Sequence, residues 1–412
     1  MSHPAGAAGP WRRREFRWFF TGRLVSLAGS AMTPVAVSFA VLQASGRSGD
    51  LALVLAANSL TLLAFLLLGG ALADRLPRGP LLVAANLAAA ATQTTVAVVL
   101  LSGHYRLWAL TVLEAANGCA AALTMPALRG IIPQLVTPTA LQPANSLLAT
   151  SRNATKILGP TIAGIVVATA GGGWAIATDA ASFAAAALCM ARLHLPPLPT
   201  RLQASMLADL REGWAEFTTL PWVVTVVVSM AGVNFVLAGV WLVLGPTIAN
   251  TTIGATGWGL ALSARATGLL VMGLAMYRLT MRYPLRWGQI GAAGLALPML
   301  ALGAGAGAPW LIAGAFLAGV GAAVTAITWE TALQQHVPHH ALSRVASYDN
   351  LGSFATVPLG QLAIIPIAVA LGSHRTTVVG AFLYAALALG ALAAPSVRNL
   401  RHRPPATTDP SA

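Results

Sequence analysis

Apolar strings about twenty residues long recur along nearly the whole of this 412-residue chain. A helix needs roughly 20 mostly apolar residues to cross the hydrocarbon core of a bilayer. Only 8% of the residues are charged, against 57% hydrophobic, whereas a soluble domain carries about 25% charged residues. A chain this poor in charge cannot cover a water-facing surface, so most of its surface is expected to face lipid.

The strings place spans at 16–42, 51–72, 80–101, 106–127, 146–170, 174–192, 222–245, 256–277, 286–305, 309–330, 350–372 and 375–395. The fold class is therefore an all-α membrane protein of about twelve transmembrane helices. Arg12, Arg13 and Arg14 run directly into the first string, which is not the pattern of a cleavable signal. Lys156 is the single lysine among many arginines, the usage of a GC-rich bacterial genome. Basic residues in short loops mark the cytoplasmic side. The side holding Arg12, Arg75, Arg129, Arg192, Arg278 and Arg344 takes nearly all of them, and the other side keeps only Arg47, Arg106 and Arg375. The reading is a multi-pass protein of the bacterial inner membrane with both termini cytoplasmic and an even number of spans.

Two halves echo each other. Pro138 to Ser146 and Pro338 to Ser347 each run from a proline through a short turn and an Ala-Leu pair to a polar helix start. Internal repeats of this kind typify secondary transporters. Between the halves, Leu195-Pro196-Pro197-Leu198-Pro199 reads as an extended linker. Leu210, Trp214 and Phe217 then recur at the spacing of an amphipathic helix lying on the membrane surface. The expected organisation is a disordered N-terminus at 1–15, a six-helix bundle at 16–192, the linker at 193–221, a second, pseudo-symmetric six-helix bundle at 222–397 and a cytoplasmic tail at 398–412.

Several functions are excluded. The net charge of +13 is spread through short loops, not clustered as nucleic-acid binding requires. Cys119 and Cys189 sit inside apolar strings and read as packing residues. The histidines lie mainly in loops or tails and none forms a metal-ligand pair along one helix, no phosphate-binding Gly-Lys-Ser/Thr loop is present, and no nucleophile–base arrangement is found. The chain is not read as an enzyme, and neither metal nor cofactor is expected.

The motifs narrow the class. After the second span comes Gly69-Gly70-Ala71-Leu72-Ala73-Asp74-Arg75-Leu76-Pro77-Arg78-Gly79. Small residues let helix ends approach closely, and the acid with its two bases can grip a neighbouring helix terminus through its dipole. Pro126 to Val136, Ser151 to Gly164, Asp179 to Phe183 and Leu210 to Gly213 carry further matches. Together they resemble the major facilitator superfamily, and within it the drug- and siderophore-exporter branch that includes the enterobactin exporter. Pro77 departs from the glycine that the superfamily prefers, so this loop should be stiffer. The second-half counterpart, Tyr277 to Arg282, has no acid.

The resemblance implies a fold of two bundles whose helices 1, 4, 7 and 10 line a central cavity. It also implies that Gly70, Asp74, Arg75 and Arg78 form a conformational gate. Gly159, Pro160 and Gly164 would act as a helix-5 hinge at the interface between halves, with Pro160 removing a backbone hydrogen bond. Charge within a membrane is expensive and is a functional hypothesis by default. Glu114, in the middle of helix 4, is the candidate proton-coupling residue. Arg265 in helix 8 needs a carboxylate, helix carbonyls or an anionic cargo group. Asn117, Asn234, Arg265, Thr325, Trp329 and Gln361 are the substrate-binding candidates. Arg152 and Lys156 read first as positive-inside anchors, and Asp179 and Asp349 as acids near helix starts.

The expected function is proton-coupled efflux of a drug-like molecule or secondary metabolite by alternating access, the proton gradient supplying energy. Nutrient uptake is the alternative, and a non-transporting membrane sensor or assembly partner is the alternative of another class. Expected partners are a small-molecule substrate, protons and lipid, with the chain working as a monomer and binding no nucleic acid. Alkaline phosphatase fused after Arg78 should be inactive, and fused after Arg47 active. The reverse pattern would overturn the orientation.

Overall fold

The computed structural model describes residues 10–75, 77–137, 140–193, 214–279, 281–337 and 339–402. Twelve helical passes follow one another there. They are α1 (Arg14–Ser30 continued by Thr33–Ser45), α2 (Ser48–Arg75), α3 (Arg78–Leu101), α4 (Leu107–Leu135), α5 (Leu141–Ala170) and α6 (Gly172–Met190) in the first half. The second half holds α7 (Pro221–Val236, Leu237–Leu244 and Gly245–Thr251), α8 (Gly254–Ala275), α9 (Pro284–Ala293 and Ala296–Gly303), α10 (Ala308–His336), α11 (His339–Phe354 and Val357–Leu371) and α12 (Ser373–Gly390). Ten of these are long and apolar enough to cross a membrane on their own composition. The other two are α5, which carries Arg152, Asn153 and Lys156 in its first half, and α9, which is broken.

The expected spans were continuous, but four passes are interrupted, each by the same chemistry. Pro34, Pro246, Pro298 and Pro358 have no N–H to give to the carbonyls four residues earlier, on Ser30, Leu242, Gly294 and Phe354. Around three of those carbonyls the chain leaves the α-helix for two residues, at 31–32, 294–295 and 355–356. In α7 the chain instead widens into a π-helix over Leu237–Leu244, and the Gly245 N–H bonds to Val240 O.

Other boundaries differ from the sequence reading. Pro10–Arg12 form a 3-10 turn and α1 starts at Arg14, so 10–15 are ordered, with the Trp11 ring 5.8 Å from Phe16 and 4.9 Å from Phe20. Helix α2 runs on to Arg75, so Gly70, Asp74 and Arg75 belong to its last turns and Arg78 opens α3. The side chains of these four lie outside the described residues. So do 209–213 of the expected surface helix. Its remaining part, 214–218, is helical, and Trp214 and Phe217 pack with Tyr348 of α11 at 5.5 and 5.9 Å.

Three buried clusters organise the packing. One lies at the end carrying most basic loops and uses first-half residues alone, including Phe16, Phe19, Leu82 and Ile131. A second lies at the same end and uses the end of the linker, at Phe217, with second-half residues including Trp222, Val223, Leu285 and Leu333. The third joins the halves toward the opposite end, where Val37, Val41, Ala163 and Val167 share a core with Trp241, Leu244, Ala255 and Trp258. At that end Tyr105 donates to Asp50 Oδ2 at 2.9 Å, and burial, reinforced by that bond, pushes the Tyr105 phenol up to about 12.

Within the second half, glycines let backbones touch. A Cβ on Gly319 of α10 would strike the Arg265 carbonyl of α8, and one on Gly321 the Gly291 carbonyl of α9. Gly273 of α8 faces open space. Gly319→Ala should therefore lower the unfolding midpoint in detergent, since overpacking costs about 1–3 kcal/mol. Gly273→Ala should leave the midpoint unchanged or raise it. Equal midpoints in a thermal melt would refute the close packing.

Candidate functional site

Below the shared core, between the two halves, lies a cavity of about 750 Å³. Its wall comes from α1, α2, α4, α5, α7, α8 and α11. No residue of α10 lines it, which departs from the lining by helices 1, 4, 7 and 10 expected from the resemblance. Two of the interrupted helices bring their breaks to the wall. Ser30, Ala31, Thr33 and Pro34 line it from α1, and Trp241, Leu242 and Pro246 from α7. Irregular backbone at membrane depth is tolerated where it lines a cavity or is buried in protein.

Four of the sequence candidates meet here: Glu114, Arg265 and Gln361, with the hinge residue Pro160. Glu114 is 3% exposed. Asn58 Nδ2 of α2 donates to its Oε2 at 3.0 Å and to its backbone carbonyl at 3.2 Å. Asn117 and Gln93 flank the carboxyl. Asn117 therefore sits beside Glu114 and does not line the cavity. Among the described residues Glu114 Oε1, Arg265 Nε and Gln361 Oε1 are buried without a hydrogen-bond partner, as are both amide atoms of Gln93 and Oε1 of Gln289, which do not line the cavity. Buried polar groups are paired in the great majority of cases, so this gathering of unpaired atoms around one cavity marks a place where a ligand could complete them.

The other candidates are spent on holding helices together. Asn234 Nδ2 donates to Ser353 O of α11 at 2.8 Å, and Thr325 Oγ1 to Gly288 O of α9 at 2.7 Å. Trp329 Nε1 donates to Asp349 Oδ2 at 2.9 Å. None of the three reaches the cavity. Asp179 and Asp349 are not at helix starts either. Asp179 lies in the middle of α6, 1% exposed, and accepts from Thr33 Oγ1 at 2.9 Å.

Residues that the sequence reading passed over complete the wall. Arg152 and Lys156, first read as anchors, point into the cavity from α5. The signal was present: they precede Pro160 by two turns and one turn, on the same helix face. In the wall formed by α7 and α8 the largely buried indoles of Trp241 and Trp258 lie 4.6 Å apart. Asn58 and Ser59 add polar groups from α2.

The α5–α8 seam joins the halves beside the cavity. Thr161 Oγ1 donates to Ser263 Oγ at 2.7 Å, and Thr256 Oγ1 to Gly164 O at 3.3 Å. A Cβ on Gly164 would meet Ala255 O at 2.6 Å, one on Gly259 would strike Pro160 O, and one on Gly159 would press on Ala31. All three expected hinge residues thus lie where α5 touches another helix at backbone distance.

The family model described as "Transmembrane secretion effector" matches residues 5–403. The multidrug efflux pump Tap of Mycolicibacterium fortuitum is 27% identical over 394 residues, covering 92% of this chain and 95% of that protein. Tap of Mycobacterium tuberculosis (strain ATCC 25618 / H37Rv) is 26% identical over 397 residues, with 94% of each covered. Among solved structures, the nucleoside transporter NupG superposes with a TM-score of 0.73 at 13% identity, over 92% of this chain and 98% of that one. A bacterial homologue of the iron transporter ferroportin gives 0.67 at 18% identity, over 92% and 97%.

In a chain freed of Cys119 and Cys189, the double variant Thr161→Cys, Ser263→Cys should form a disulfide under mild oxidation, read as a mobility shift reversed by reductant. Absence of the cross-link would refute the seam.

Proposed function

The chain belongs to the transmembrane secretion effector family of the major facilitator superfamily, and from that premise we propose that it exports a drug-like small molecule by proton-coupled alternating access. It is a multi-pass membrane transporter, and the two Tap relatives bear the name multidrug efflux pump. The observation that carries the reading is the arrangement of the cores. One core joins the halves away from the basic loops, while each half keeps a separate core at the basic end. A molecule built this way can pivot at the joined end without unpacking either half.

With the basic end in the cytoplasm, the cavity faces the cytoplasm and takes cargo from that side or from the inner leaflet. Rocking about the α5–α8 seam would close the basic end and open the other. The gate at that end would be Gly70, Asp74, Arg75 and Arg78, and Gly159, Pro160 and Gly164 would let α5 slide on its neighbours. Glu114 is the proton carrier in this scheme. Its donor Asn58, its polar neighbours Asn117 and Gln93 and its unpartnered Oε1 suit a carboxyl that exchanges a proton as the cavity changes sides. Each proton moving inward contributes about 2.3 kcal/mol per 100 mV of membrane potential, enough to sustain a roughly fortyfold gradient of an uncharged cargo.

Glu114→Gln should abolish pH-gradient-driven efflux from proteoliposomes while leaving the yield and thermal midpoint of the purified protein unchanged. Full gradient-driven efflux in that variant would remove Glu114 from the mechanism. Accumulation inside cells, in place of extrusion, would overturn export itself.

A further inference from the structure

The cavity wall is charge-segregated. Arg152 and Lys156 reach it from α5 and Arg265 from α8, on the two sides of the seam, while the one carboxylate, Glu114, comes from α4. The three cations lie close enough to repel, Lys156 feeling both Arg152 and Arg265. Arg23, further down α1 toward the basic end, adds to the field at Arg152. Positive charge is thus in excess whether or not Glu114 is ionised.

Among the described residues no carboxylate forms an ion pair with Arg265, Arg152 or Lys156. Asp179, the other buried acid nearby, bonds Thr33 and Ser182 instead. Arg265 lies deep between helices with its Nε unpartnered, and its neighbour from α12 is Tyr384. A guanidinium in that position normally pairs with a partner or faces a functional pathway. Here the open direction is the cavity. Beside Arg265 the wall is apolar, with Leu262 and Leu269 from the same helix and Leu242 from α7, and the indoles of Trp241 and Trp258 packed behind them.

We propose that the cavity takes an amphiphilic organic anion, its carboxylate, sulfonate or phosphate head seated between Lys156 and Arg265 and its apolar body against Leu242, Leu262 and Leu269. As a statement about cargo this rests on the exporter reading, but the binding site does not. A planar guanidinium with an ammonium beside it matches an oxyanion in both charge and hydrogen-bond donors. Positive walls also repel the lipophilic cations that an apolar, acid-lined cavity would collect.

Carboxyfluorescein and ethidium are the probes. Purified protein in a neutral detergent is titrated into each, and binding is read as fluorescence anisotropy. Carboxyfluorescein should bind saturably and more tightly than ethidium. Lys156→Gln and Arg265→Gln should each weaken it roughly tenfold or more, the loss expected for a charge-assisted hydrogen bond. Arg265→Lys should retain most of the affinity. If Arg265→Gln does not fold, Lys156→Gln, which is exposed on the cavity face, decides alone. Tighter binding of ethidium, or unchanged carboxyfluorescein affinity in Lys156→Gln, overturns the proposal. So does displacement of the probe by phosphatidylglycerol but not by naphthalene sulfonate, which would assign the cations to a lipid headgroup. Saturable carboxyfluorescein binding without movement in proteoliposomes would keep the anion site and end the exporter reading. Ethidium efflux without carboxyfluorescein binding would do the reverse.

Discussion

Backbone hydrogen bonding in lipid is the constraint on which the rest of this structure depends. No water is present in the hydrocarbon to complete an orphaned carbonyl, and each one left unmade costs several kcal/mol. A chain that must interrupt its helices can do so only where protein or an internal cavity receives the freed groups. Pro34 and Pro246 impose two such interruptions, and the carbonyl-bearing residues they strand, Ser30 and Leu242, both line the central cavity. The π stretch before Pro246 is a second response to the same constraint. It trades i→i−4 bonds for i→i−5 bonds and turns Trp241 toward Trp258. Two of the four breaks thus open onto the site, while those of α9 and α11 lie away from its lining.

The same economy sorts the polar side chains. An interhelical hydrogen bond in a membrane contributes only about 0.6 kcal/mol on average, so Asn234, Thr325 and Trp329 add little individually as ties between α7, α9, α10 and α11. A charge at the centre of a helix costs about 2.5–3.5 kcal/mol on insertion scales. Glu114 and Arg265 are thus several times more costly to keep than those ties are worth. Their unpaired atoms, with that of Gln361, ring the one volume able to hold a ligand beside them.

This difference in cost explains how far the sequence could be read. A carboxylate or guanidinium inside an apolar string is visible without neighbours, so Glu114 and Arg265 were found, and the spans followed from string length alone. The face of a helix that meets the cavity is not visible in that way. Asn234 and Gln361 look equivalent in sequence, yet Asn234 meets the Ser353 carbonyl while Gln361 meets the cavity. Arg152 and Lys156 were misread because their distance from the basic end of α5 also fits a snorkelling anchor. The helix breaks were legible in principle from the four prolines, but α5 carries Pro160 and remains one helix, so proline alone did not distinguish a break from a bend. Trp241 and Trp258 gave no signal, since an indole in a lipid-facing string and one in a cavity wall read alike.

What remains is why the seam between α5 and α8 should be built of glycine and hydroxyl side chains and not of interlocked leucines. Large side chains interdigitate in one register, and moving them means crossing a barrier of lost contacts. Along α5 and α8 the surfaces that meet are Gly164 against Ala255, Pro160 against Gly259 and the Thr161 hydroxyl against Ser263. Backbone-to-backbone packing of this kind is close but nearly smooth, and a hydroxyl can exchange one acceptor for the next as the helices slide. At the basic end the bulky residues Phe16, Ile131, Trp222 and Leu333 pack into cores that belong to one half each. Rigidity inside the halves and a smooth seam between them are the two properties that a pivot requires, and the residue sizes along this chain are distributed to supply both.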